Sequence, residues 1–181
     1  MQDLRKALLL LVLASFSIQA APLTKTKDEA REKAALALIK YPWQQLKYKI
    51  TFLGPRHGYR AMTFSSKRTI EVYVRPGDDA QMIAYDIAHE LGHAIDLTFN
   101  TDNSRKKWMK SRGINPATPW FGCNQCSDYK TPAGDFAETF ALFLLGPGHF
   151  AGRIAPPPTI KQIAALGSFF PNGVPGTRSS D

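Results

Sequence analysis

Three residues in one short stretch have the types and spacing to do chemistry. His89-Glu90-Leu91-Gly92-His93 reads H-E-x-x-H inside an apolar-periodic run, from Met82 to Ala88 before it and Ala94 to Leu97 after it. Such a run is helical, and in a helix positions i and i+4 share a face one turn apart. His89 and His93 can therefore aim two imidazoles at one point. Glu90 lies about 100° round from His89, placed to reach a water without itself being a ligand. Two neutral imidazoles beside a carboxylate are what a zinc ion needs to hold a water, lower its pKa and give its proton a base. Gly92 is a poor helix residue, about 1 kcal/mol worse than Ala, so its place between the histidines points to a packing or site requirement. The chain has only four histidines, and two of them are here.

A catalytic zinc takes three protein ligands and keeps one position open. The extended form H-E-x-x-H-x-x-G-x-x-H is excluded, because Asp96 and Phe99 stand where it needs Gly and His. A carboxylate is the next candidate. Glu138 is the only glutamate after Glu90, and it shares a helix face with Asp135 at i and i+3. That helix is otherwise Ala, Phe and Leu, and carboxylates on so apolar a helix are costly unless paired or metal-bound. Should neither acid hold the metal, Asp128 and Asp102 are next. Asp96, three residues past His93, is a candidate to orient a ligand. His57 and His149 receive no role.

H-E-L-G-H-A-I-D followed by D-F-A-E-T-F-A resembles the gluzincin-type zinc metallopeptidases, most of all the group of anthrax lethal factor and the secreted Pro-Pro endopeptidases. The resemblance spans roughly residues 83 to 145. It implies a zincin-like catalytic domain, a zinc cofactor and hydrolysis of peptide bonds with Glu90 as general base. Those enzymes carry an E-x-x-x-E pair across the F-A-E; here the first of those positions is Gly134, and Asp135 comes one residue late. The family order makes Asp135 the metal ligand and Glu138 the group that orients a histidine. The reach and uniqueness of Glu138 argue the reverse, and both are expected in the site. The family also places a tyrosine in a similar stretch to steady the oxyanion, which would be Tyr129, although the spacing is not identical. Two other readings are a non-catalytic zinc-binding or envelope-binding module, and a zinc hydrolase of cell-wall peptides. A structural zinc would close its fourth position with a ligand, so Glu90 favours catalysis.

The elements that must position these residues follow from the rest of the chain. Its 181 residues, 44% hydrophobic and 21% charged, suit one globular domain. Arg5-Lys6, the apolar run from Ala7 to Ala14 and the small pair Ala20-Ala21 read as an export signal over 1–20, too short to span a membrane comfortably. Residues 21–170 are expected to form the catalytic domain and 171–181 a disordered tail. Cys123-Asn124-Gln125-Cys126 is then expected to be a short-loop disulfide in an oxidising compartment. The net charge of +8 suits anionic cell-envelope surfaces. No nucleic-acid motif is present, and the expected partner is a protein or peptide substrate met by a monomer.

In chain order, the pattern predicts a helix over 27–40 and strands over 46–53, 59–64 and 69–74. The motif helix begins after a cap at Asp78 or Asp79, and a polar helix spans 103–112. A Pro- and Gly-rich loop runs from 114 to 130. Thr131-Pro132 opens an apolar helix to about Leu145, and a last short helix lies within 159–170. The class is α+β, with a small antiparallel sheet packed on the motif helix and further helices. A strand beside that helix could offer its edge to an extended peptide.

Overall fold

The computed structural model describes residues 22–123 and 126–171. The expected export signal lies outside them, as does the tail beyond 171. No helix among the described residues is long and apolar enough to cross a membrane.

The fold is α+β. Helix α1 (Pro22–Leu38) is followed by a 3-10 turn (Trp43–Leu46) and three strands: β1 (Lys49–Leu53), β2 (Ala61–Phe64) and β3 (Thr69–Tyr73). Helices α2 (Ala80–Phe99), α3 (Asp102–Ser111), α4 (Pro132–Leu145) and α5 (Ile160–Leu166) complete it.

The sheet corrects one expectation: it is mixed, in the order β1-β3-β2, with β1 parallel and β2 antiparallel to β3. Ile70 and Val72 of β3 are fully buried and Tyr73 nearly so. The most β-branched strand takes the centre, where both its edges are paired, and the two less buried strands flank it. β2 is therefore an edge strand, with no strand paired to its outer edge among the described residues.

The chain leaves β3 through a turn with Pro76 and Gly77 at its middle, where Asp78 N–H bonds to Arg75 O. Gly77 has φ 91°, the left-handed conformation this turn asks of its third residue. Asp79 then caps α2, accepting from Met82 N–H.

α2 is the centre of the molecule. It packs on α4, α1, β2 and β3. Ile83, Ala84, Ile87, Ala88, Leu91, Ala94 and Ile95 are all fully buried. Gly92 explains how close α2 and α4 come: a Cβ there would lie 2.6 Å from Ala137 Cα.

α4 starts as the sequence predicts, with Thr131 accepting from Gly134 N–H and Pro132 in the first turn. Trp108 of α3 meets Phe136 of α4 edge to face, with centroids 4.8 Å apart, and Phe170 seals the same cluster. Cys123 and Cys126 form a disulfide in the loop before α4.

Candidate metal centre

The four-residue spacing on α2 places His89 and His93 one turn apart, and their Nε2 atoms lie 3.2 Å from each other. The third group in reach is Asp128. Its Oδ2 is 3.0 Å from His89 Nε2 and 2.7 Å from His93 Nε2. These three atoms form the metal-competent cluster found among the described residues.

Asp128 opens a 3-10 turn (Asp128–Lys130) that leads into α4. Its carbonyl accepts from both the N–H and the hydroxyl of Thr131, each at 2.7 Å. The turn rests directly on Gly134, where a Cβ would meet the Asp128 carbonyl oxygen at 2.2 Å. Any side chain at 134 would dislodge the turn that carries Asp128.

Glu138 approaches His89 from behind. Its Oε1 is 2.8 Å from His89 Nδ1, while Oε2 accepts from the Tyr85 hydroxyl at 2.6 Å and from Ala151 N–H at 2.7 Å. With both donors on Oε2, Oε1 is left to accept from Nδ1, and in the neutral ring that tautomer would leave Nε2 free for a metal. Glu138 is therefore placed to orient a histidine, and Asp128 completes the group that could hold a metal ion.

Asp135 is not in the site. It is fully buried on another side of α4, where Arg112 Nε and Nη2 donate to it at 2.9 and 2.8 Å and Trp108 Nε1 at 3.0 Å. The cost of a carboxylate on an apolar helix is met here by a cation and an indole, not by a metal. This removes Asp135 from the candidate ligands. Asp96 is also turned away: it accepts from Arg105, Asn100 and the Trp120 indole rather than from a histidine. Asp102 is 92% exposed and plays no part.

Glu90 is buried at the cleft beside the histidines, and Thr63 of β2 donates to its Oε2 at 2.7 Å. Tyr129 also lines the cleft, its ring 6.2 Å from that of His89. His149 lines it too, edge to face with Tyr85 at 5.6 Å. The segment bearing His149 is fastened by Ala151 N–H on Glu138 and by Arg153 N–H on Tyr129 O at 2.6 Å. The cleft holds about 910 Å³.

The acids around His89 favour its protonated form. Burial alone would lower the pKa of His89, but its bonds to Asp128 and Glu138 and the charge of Glu90 outweigh this and hold it well above 6.5. Burial would raise Asp128, yet hydrogen bonds from both histidines bring it far below the usual carboxylate range. Glu138 is lowered in the same way, His89 overcoming burial. Burial, then the charge of Glu138, pushes the Tyr85 hydroxyl up, so it stays a donor.

The donor set and its spacing could hold a metal ion. Two imidazole nitrogens and a carboxylate oxygen at tetrahedral positions on zinc lie about 3.3 Å apart. The observed separations of 2.7 to 3.2 Å are close to that.

No protein-family model matches the sequence, and no curated protein or solved structure is significantly similar to it.

Thr63 and Tyr85 had no role in the sequence reading. Tyr85 stands four residues before His89, so helical spacing alone could have flagged it. Thr63 had no such signal.

Proposed function

We propose that this chain is a zinc-dependent endopeptidase, with His89, His93 and Asp128 as metal ligands and Glu90 as general base. One observation carries the reading: the two Nε2 atoms and Asp128 Oδ2 converge within 3.2 Å in an open cleft that Glu90 also lines. The resemblance to gluzincin-type metallopeptidases supports it. Gly134, where that pattern has its first acid, leaves its side-chain space to the Asp128 turn. A carboxylate thus reaches the histidines from a neighbouring element.

A bound zinc would polarise a peptide carbonyl and lower the pKa of water. The chain's own residues do the rest. Thr63 holds the Glu90 carboxylate at the cleft. Glu90 takes a proton from the attacking water and passes it to the leaving amine as the C–N bond breaks. Glu138, braced by Tyr85 and Ala151, keeps His89 in the tautomer that presents Nε2. Tyr129, which lines the cleft, donates to the developing oxyanion. Ala61, Met62 and Thr63 of β2 line the cleft, and the strand's outer edge suits an extended peptide. The disulfide accords with an exported protein.

The test is zinc content together with hydrolysis of a peptide library. The purified chain should hold one zinc and cleave peptides. Glu90→Ala should keep the metal and lose hydrolysis, and Asp128→Ala should lose the metal. A Glu90→Ala protein without zinc would make Glu90 a ligand and refute its role as base. A zinc-replete wild type that cleaves no peptide would refute the peptidase reading.

A further inference from the structure

Beside the candidate metal ligands, the cleft carries apolar side chains. Leu97 and Phe121 line it, although they are 42% and 47% exposed. Leu97 lies one turn past His93, so His89, His93 and Leu97 fall on one face of α2. Cys126 of the disulfide lines the same cleft.

Phe121 is held in place. The Arg105 guanidinium lies over the rings of both Trp120 and Phe121, 5.5 and 5.1 Å from their centroids. Arg105 is fixed in turn by the fully buried Asp96, which also accepts from the Trp120 indole at 2.9 Å. A buried carboxylate therefore clamps an aromatic ring to the rim of the cleft. A half-exposed phenylalanine kept rigid next to a reactive centre offers an apolar surface without first ordering it, which is how a recognition wall differs from a stray surface residue.

We propose that Leu97 and Phe121 form a subsite for one large apolar side chain, aliphatic or aromatic, of a bound peptide. The proposal rests on the endopeptidase reading. Four helical residues advance about 6 Å along α2, and an extended peptide covers that in about two residues. The side chain recognised thus belongs to the first or second residue on one side of the cleaved bond.

The experiment uses the zinc-loaded full chain and a peptide library varied around the cleavage site. Wild type should favour Leu, Ile, Met or Phe at one position within two residues of the bond. Phe121→Ala and Leu97→Ser should each lower kcat/KM for such peptides by about tenfold, the worth of part of a buried apolar side chain. Matched peptides with Ala there should change less than twofold, and zinc content should not change. Equilibrium binding of the same peptide pair to Glu90→Ala should give the same ratio. Cleavage without an apolar preference, or a preference that survives both substitutions, overturns the subsite. If wild type cleaves nothing, the peptidase reading fails and binding decides: a Leu-over-Ala preference lost in Phe121→Ala sustains the subsite, and equal binding removes it. A dimer that dissociates on Phe121→Ala would show a second copy of the chain covering the patch, and would also overturn it.

Discussion

A single methyl group at position 92 should disturb both the stability of the domain and the histidine beside it. In Gly92→Ala the new Cβ would sit 2.6 Å from Ala137 Cα, 3.1 Å from its Cβ and 3.2 Å from its carbonyl oxygen. Non-bonded carbons settle at about 3.5–4.0 Å, so α2 and α4 must part by about 1 Å. The atom met first is backbone, which has no rotamer to retreat into. Helix propensity acts the other way, favouring Ala by about 1 kcal/mol. Overpacking in a well-filled interior typically costs about 1–3 kcal/mol, and contact with backbone between two buried helices belongs at the upper end. The net loss should be about 1–2 kcal/mol, which for a chain of this size lowers Tm by about 2–8 °C. The neighbouring residue, Glu138, sits 2.8 Å from His89 Nδ1, so zinc affinity should fall as well, within the 10–100-fold typical of losing a group that orients a ligand. Thermal melts of the metal-free protein and competition with a zinc chelator measure the two effects. Ala137→Gly in the same chain relieves the contact and should restore part of both. A Tm that rises, as propensity alone would have it, with zinc affinity unchanged, would refute the close approach as the reason for glycine.

Three further outcomes are expected. Asp128→Ala should weaken zinc binding more than Glu138→Ala, while Asp135→Ala should leave it unchanged and destabilise the fold by about 3–5 kcal/mol, because Arg112 is left buried and unpaired; zinc titrations and denaturant melts separate the three. In metal-free protein the raised pKa of His89 contributes stability that is full below 6.5 and lost as pH rises through its folded value, while the lowered carboxyls contribute above 3.8 for Asp128 and 4.5 for Glu138. The Tm of the metal-free chain should therefore fall on the alkaline side, and zinc, which needs neutral imidazole, should reverse that trend; parallel pH profiles with and without zinc would disprove it. Cys123→Ser with Cys126→Ser should reduce zinc affinity and hydrolysis more than Tm, since the bridge closes a very short loop and stands two residues from Asp128; a large drop in Tm with zinc binding intact would count against this.

How far the sequence could be read depends on whether a residue's partners are local. His89, Glu90 and His93 were legible because helical spacing sets their geometry, and Thr131-Pro132 announced α4 because capping is also local. Asp128 was not. It belongs to a loop without periodicity, and its path to the histidines depends on a turn that settles on Gly134. The pair Asp135 and Glu138 was half legible. An apolar helix does demand partners for its acids, but spacing cannot say that Arg112 would meet one while His89 meets the other. The order of the sheet was hidden for a related reason. A short chain of three strands suggests a meander, and only burial shows that β3, the most β-branched, claims the middle. Asp96, a candidate to orient a ligand by its spacing, pairs with Arg105 and Trp120 instead, on elements whose placement spacing does not give.

The segment that carries His149 is fastened to the centre by two main-chain amides, Ala151 on the Glu138 carboxylate and Arg153 on the Tyr129 carbonyl. Each acceptor belongs to a residue that borders the metal position. The amide protons of Ala151 and Arg153 are therefore built-in reporters of what happens there. Their hydrogen-exchange rates should slow when zinc braces His89 against Glu138 and quicken when Glu138 is removed. The occupancy of the centre could thus be followed from these two protons, without substrate and without touching a ligand.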